Sequence, residues 1–137
     1  MVTEIYACGH NRTSAFIIVE AANIIHYGSH TWGETISFNG INAPSSDLNC
    51  EVIAVICALM LCENNHRGLV NIYTDDDSCQ QRYFRRQCDS PFFSSVLTHL
   101  DGVDIYAESW RDNQFGEDFK AACKNMTNNN QNGIQQR

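Results

Sequence analysis

Three short apolar runs open the chain, and turn-forming residues close each of them. Residues 2–9 (VTEIYACG), 13–21 (TSAFIIVEA) and 23–32 (NIIHYGSHTW) are rich in Ile, Val, Phe and Tyr, which suit a pleated, half-buried surface. Gly9, Asn11 and Asn23 lie between them and suit tight turns. The pattern predicts three strands joined as hairpins. Residues 33–49 are more polar and read as a loop, with room for one short strand at 35–38. The spacing changes at 50–68 (CEVIAVICALMLCENNHRG), where Ala, Leu and Met predict a helix. Asp47 or Asn49 is placed to cap its start and Gly68 to end it. This helix is apolar almost all round, so it should be buried on more than one side.

The second half alternates. Residues 69–74 read as a strand and 78–88 as a short Arg-rich helix. Residues 90–100 read as another helix, with Pro91 early in it. A last strand is predicted at 103–110 and a last helix at 112–126. Hairpin strands followed by strands separated by helices predict an α/β protein, a mixed sheet with helices on its faces. Residues 127–137 (TNNNQNGIQQR) are polar and of low complexity and read as a flexible tail. That leaves residues 1–126 as a single domain.

A length of 137 residues allows one domain with a real core and is short for two. The net charge is −7, from 9 Lys+Arg against 16 Asp+Glu, which argues against a general nucleic-acid binder. It leaves open an enzyme that meets nucleic acid through bound cations. Seven cysteines cannot all pair within one chain, and their spacing shows no repeated framework. The expected compartment is therefore reducing, and the expected location cytoplasmic. The longest apolar stretch, about a dozen residues from Val52, is too short to cross a bilayer.

One stretch asks for chemistry. The strand at 69–74 runs straight into Asp75, Asp76 and Asp77. Such a run can be a turn and a helix cap, because Asp suits the positive end of a helix. It can also contribute a ligand for a metal ion, although taken alone the run favours the turn and cap. Glu51 has the same two readings, since an acid in the first turn of a helix offsets the dipole. Arg82, Arg85 and Arg86 form either a solvated helix face or a contact with phosphates.

The block from Asn49 to Cys79 resembles the central block of type 1 ribonuclease H. There, a helix opens with an acid, and the next strand ends in Tyr-Thr-Asp or Ser-Thr-Asp. The resemblance makes Glu51 the helix acid and Asp75 the strand-end acid. Residues 112–122 (DNQFGEDFKAA) resemble the family's last-helix signature, with Asn113, Gly116, Glu117 and Phe119 on its positions. Residues 3–10 (TEIYACGH) resemble its first strand, which normally ends in Asp-Gly-Ser. The resemblance spans roughly residues 3 to 123 and implies a ribonuclease H-like fold, with a five-stranded mixed sheet flanked by helices. It also implies Mg²⁺ or Mn²⁺ as cofactor, an RNA–DNA hybrid as partner, and cleavage of the RNA strand. Asn49, Arg82, Arg85 and Arg86 are then the candidate nucleic-acid contacts.

The sequence departs from that pattern in four places. Cys8 stands where the first acid belongs. Glu117 replaces an Asp, and the apolar spacing of Phe115, Phe119, Ala122 and Met126 places Asp118 nearer the buried face, which makes it the alternative acid on that helix. The loop that carries a His in active relatives is reduced to almost nothing between Trp110 and Asn113. The basic protrusion of some bacterial members is absent. Two-metal hydrolysis needs carboxylates that hold two hard cations about 4 Å apart, and a thiol is a poor ligand for Mg²⁺. The functional expectation is a divergent, impaired ribonuclease H. The alternative is a ribonuclease H-like module without catalysis, acting structurally or binding a protein or a nucleic acid. A resolvase- or integrase-type nuclease is a third option.

Overall fold

The computed structural model describes the backbone of residues 3–10, 12–38, 40–45, 48, 50–62, 68–74, 91–99, 103–109 and 116–131. The predicted helix at 78–88 lies outside the described residues. Strands β1 (Thr3–His10), β2 (Thr13–Glu20) and β3 (Asn23–Thr31) follow one another as predicted. Next come β4 (Thr35–Phe38), β5 (Ile41–Pro44) and helix α1 (Cys50–Cys62). Strand β6 (Gly68–Thr74), helix α2 (Pro91–His99), strand β7 (Val103–Ser109) and helix α3 (Gly116–Gln131) complete the order.

The main sheet runs β3-β2-β1-β6-β7. The two hairpin junctions are antiparallel, and β1–β6 and β6–β7 are parallel, so the sheet is mixed. The expectation of one sheet is incomplete. Strand β4 falls on the short strand allowed at 35–38 and pairs with the unexpected β5 in a second, two-stranded sheet. Their register pairs Phe38 with Ile41, and Gly40 lies between them. Gly40 has φ 80°, the conformation that favours glycine in such hairpins.

The sheet has two covered faces. On one, Ile5, Ala7, Phe16 and Ile18 pack against α1 in a cluster that also takes in Ile36 and Phe38 of β4 and Phe92 and Val96 of α2. Residues Val52 to Ile56 of α1 are all buried, because the helix lies between the sheet and the β4–β5/α2 layer. On the other face, Tyr6, Cys8, Ala15, Ile17, Val19 and Tyr73 pack against Phe119, Ala122, Cys123 and Met126 of α3. Strand β2 lies inside the sheet between these faces, which accounts for its unbroken apolar run. Strand β3 is at the edge and is largely exposed.

Helix α3 continues beyond residue 126, where the polar tail was expected to begin. Thr127 is fully buried. Its hydroxyl donates to the Lys124 carbonyl at 2.7 Å, which ties an otherwise polar segment into the helix. The expected tail is therefore helical as far as Gln131.

Candidate active site

The C-terminal end of β1 meets the first turn of α1 through a glycine. A methyl group placed on Gly9 would fall onto the carbonyl of Cys50 and lie 2.6 Å from its Cβ. Only a residue without a side chain allows this approach. The chain on either side of the contact therefore comes together too, with Cys8 beside Gly9 and Glu51 beside Cys50. Glu51 is half-buried in the first turn of α1. Two further ties hold the helix to the hairpins. The Arg12 N–H donates to the Cys50 Sγ at 3.3 Å. The Ser14 hydroxyl lies 3.5 Å from the Cys57 thiol and accepts the Trp32 indole N–H at 3.1 Å.

The Cys8 side chain belongs to the opposite face. It is 2% exposed and packs in the cluster under α3. With Tyr6, Ala7, Tyr73, Thr74, Lys120 and Cys123 it lines a cavity of about 10 Å³, the space of about one water. Three stacked rings fix α3 over this place. Tyr6 lies 4.9 Å from Tyr73 at an interplanar angle of 15°, and 4.4 Å from Phe119 at 30°. The Cys123 thiol donates to the Tyr6 carbonyl at 3.5 Å. Burial, and then the Glu4 carboxylate, push the Tyr6 hydroxyl well above the usual tyrosine range. This ring is a neutral packing element and a poor acid.

Strand register sets the remaining positions. Tyr6 pairs with Tyr73 in the parallel β1–β6 ladder, and Thr74 is the last residue of β6. Asp75, which follows it in sequence, lies outside the described residues, as do Asn49, Arg82, Arg85 and Arg86. Glu117 is in the first turn of α3, and its side chain lies outside the described set. Asp118 is exposed, which corrects the expectation that it turns toward the buried face. That face is formed by Phe119, Cys123 and Met126.

Among the described residues, no three His, Cys, Asp or Glu side chains gather into a metal-holding group. At position 8, where the resemblance to ribonuclease H expects an oxygen donor, the structure has a sulfur. That sulfur is enclosed by rings and by a second thiol. A soft, buried donor does not suit Mg²⁺, so the described donors do not fit a two-cation site there.

Sequence reasoning missed two cations at this end of the sheet. Lys120 reaches the Cys8 cavity, and Arg12 sits in the β1–β2 turn with φ 61°. Lys120 carried a signal, since it lies on the helix that supplies Glu117. Arg12 carried none, because its two anchors, Cys50 and Trp32, are distant in sequence.

No protein-family profile matches the sequence, and no curated protein matches it. Solved structures do. The ribonuclease H1 of the halophilic archaeon Halobacterium salinarum superposes with a TM-score of 0.61 at 15% identity, covering 94% of this chain and 99% of that one. The N-terminal ribonuclease H domain of a Mycobacterium tuberculosis protein gives 0.59 at 10% identity, covering 93% and 94%. The LC11 ribonuclease H1, solved in complex with an RNA/DNA hybrid, gives 0.53 at 13% identity, covering 90% and 97%. At such identities the likeness is one of architecture, and the chain has the ribonuclease H-like fold.

Proposed function

We propose that this chain is a divergent ribonuclease H of type 1 that recognises RNA–DNA hybrids and cuts the RNA strand with impaired turnover. The observation that carries the reading is the contact of Gly9 with Cys50. It brings the helix that bears Glu51 against the strand end where the first acid of such a site belongs. In this reading Glu51, Asp75 and Glu117 are the acids for Mg²⁺ or Mn²⁺, and Asn49, Arg82, Arg85 and Arg86 grip the nucleic acid. The LC11 relative of the fold was solved with a hybrid bound, which supports the choice of partner. The impairment follows from Cys8, which removes one oxygen donor from the set.

A second reading is favoured by the burial of Cys8. A thiol packed among Tyr6, Tyr73 and Cys123 serves a core and not a cation. The protein is then a hybrid-binding or protein-binding module without turnover.

One experiment separates the two. A labelled hybrid is incubated with the protein in Mg²⁺ and in Mn²⁺, and binding is measured in parallel by anisotropy. Product that disappears in Glu51→Gln supports the nuclease. Binding without product supports the module. Absence of hybrid binding sinks the nuclease and the hybrid binder alike.

A further inference from the structure

Two thiols from different elements line one small space. Cys8 of β1 and Cys123 of α3 are 2% and 1% exposed, and both line the cavity of about 10 Å³ where β1, β6 and α3 meet. We propose that this pair is a binding site for a soft monovalent cation, copper(I), held between the two sulfurs. The site is independent of the hybrid reading and holds whether or not the chain cuts RNA.

Both sulfurs are held in place by the fold, and both are free thiols. The Cys123 thiol donates to the Tyr6 carbonyl at 3.5 Å, which sets it against β1 two residues from Cys8. Tyr6 and Cys8 share one face of the strand, as alternate residues do, and that face packs under α3. The Cys8 thiol has no hydrogen-bond partner among the described residues. A buried polar group left in this state calls for a partner, and an ion is one that satisfies it.

The donors select the ion. Thiolates suit soft cations, whereas Mg²⁺ wants oxygen. Among the described residues no third His, Cys, Asp or Glu joins the pair, so Zn²⁺ lacks the tetrahedral set it takes. Copper(I) accepts two sulfurs in line and needs no third donor. The cavity has the space of about one water, which suits a bare ion and not a hydrated one. The charges balance as well. Each thiol gives up its proton on binding, so two thiolates and one monovalent cation leave one negative charge. Lys120 lines the same cavity, and its ammonium offsets that charge. Tyr6 and Tyr73, stacked at 4.9 Å, form an apolar wall that limits the access of water to the metal.

The test uses the full chain, reduced, stripped of metal and kept free of oxygen. Copper(I) is supplied in competition with bicinchoninate, whose colour reports the ion it still holds, and melting is followed with and without copper. One equivalent per chain should bind and raise the melting temperature, and excess Mg²⁺ should not displace it. Cys8→Ala and Cys123→Ala should each lose that equivalent, a larger effect than the roughly 10–100-fold that an outer partner is worth. Lys120→Met should keep the stoichiometry and weaken binding about tenfold. The Cys57→Ala, Cys62→Ala double variant should bind as the natural protein does. X-ray absorption at the copper edge of that double variant should show two sulfur neighbours, which decides the matter even if a Cys8 variant does not fold. A natural protein that takes no copper from the chelator overturns the proposal. An equivalent that survives Cys8→Ala or Cys123→Ala, or that is lost in the Cys57, Cys62 double variant, overturns it too. So does a spectrum of nitrogen or oxygen neighbours.

Discussion

Gly9 of β1 lies against the backbone carbonyl of Cys50, the first residue of α1. The sheet and its central helix meet closely at the end of β1 that carries Cys8. Gly9→Ala places a methyl on a backbone atom, which cannot swing away as a side-chain tip can. The first turn of α1 must shift. The expected cost is about 3 kcal/mol, a large share of the stability of a domain this size. Urea denaturation measures it, and a midpoint equal to that of the natural protein would show that the approach is slack. Hybrid binding should also weaken under conditions where the variant remains folded, because Glu51 follows Cys50 in the turn that must shift.

The β2–β3 hairpin invites the opposite change. Glu20 pairs with Asn23, so Ala21 and Ala22 form a two-residue turn, and their φ values are 50° and 65°. A turn with positive φ at both central positions prefers Asn-Gly. Alanine pays for its Cβ in this region, at roughly 1–2 kcal/mol per residue. Replacing Ala21-Ala22 by Asn-Gly should raise stability by about 1–2 kcal/mol. Thermal melting checks it. A lower melting temperature would mean that the turn relaxes around the alanines.

The first three strands and α1 were legible because each follows a single local rule. Apolar runs end at turn residues, and a long Ala/Leu/Met segment makes a helix. Strand β4 matches the short strand allowed at 35–38, whereas β5 was hidden because it has only four residues and ends in Pro44. The extension of α3 was hidden for a different reason. Residues 127–131 have poor helix propensity, and the burial of Met126 and Thr127 against the sheet outweighs it. Within the candidate site, Glu51 was legible from its place in the first turn of a helix, whereas Gly9, read as a turn residue, lies inside β1 against Cys50. The orientation of the Cys8 thiol and the anchoring of Arg12 depend on packing between distant segments, which spacing along the chain does not encode.

Two thiols on α1 give a pH signature. Burial pushes Cys57 up to about 11 against an ordinary 9.0, opposed by its hydrogen bond with Ser14. Burial, followed by the charge of Glu20, pushes Cys62 up to about 11. In the unfolded chain these thiols ionise near their ordinary value. Between about pH 9 and pH 11 the unfolded chain holds fewer protons, so stability falls as pH rises. Below about pH 8 both states hold the proton and this contribution is complete. Melting temperature against pH should therefore decline above about pH 9. The decline should be shallower in the Cys57→Ala, Cys62→Ala double variant. Equal slopes would show that other groups, such as exposed tyrosines, govern the alkaline limb.

The sharpest test concerns Cys8. Its thiol is 2% exposed, beside Tyr73, Thr74 and Cys123, in a cavity that Lys120 also lines. Cys8→Asp puts a carboxylate where the resemblance to ribonuclease H expects one. In metal-free buffer the new charge is poorly solvated, and stability should drop by about 1–3 kcal/mol. The ammonium of Lys120 sets the lower end of that range if it turns toward the new acid. A carboxylate also adds a hard oxygen donor beside the strand that leads to Asp75. If Glu51, Asp75 and Glu117 converge on it, Mg²⁺ will bind the folded state and restore stability in proportion to its concentration. The natural protein should show a much smaller Mg²⁺-dependent rise in melting temperature. Hybrid cleavage should follow the same order, weak or absent in the natural protein and increased in Cys8→Asp. A natural protein that is stabilised by Mg²⁺ as strongly as the variant, and cleaves as fast, would mean that position 8 plays no part in holding the cation. A neighbouring acid such as Asp76 would then be the next residue to replace.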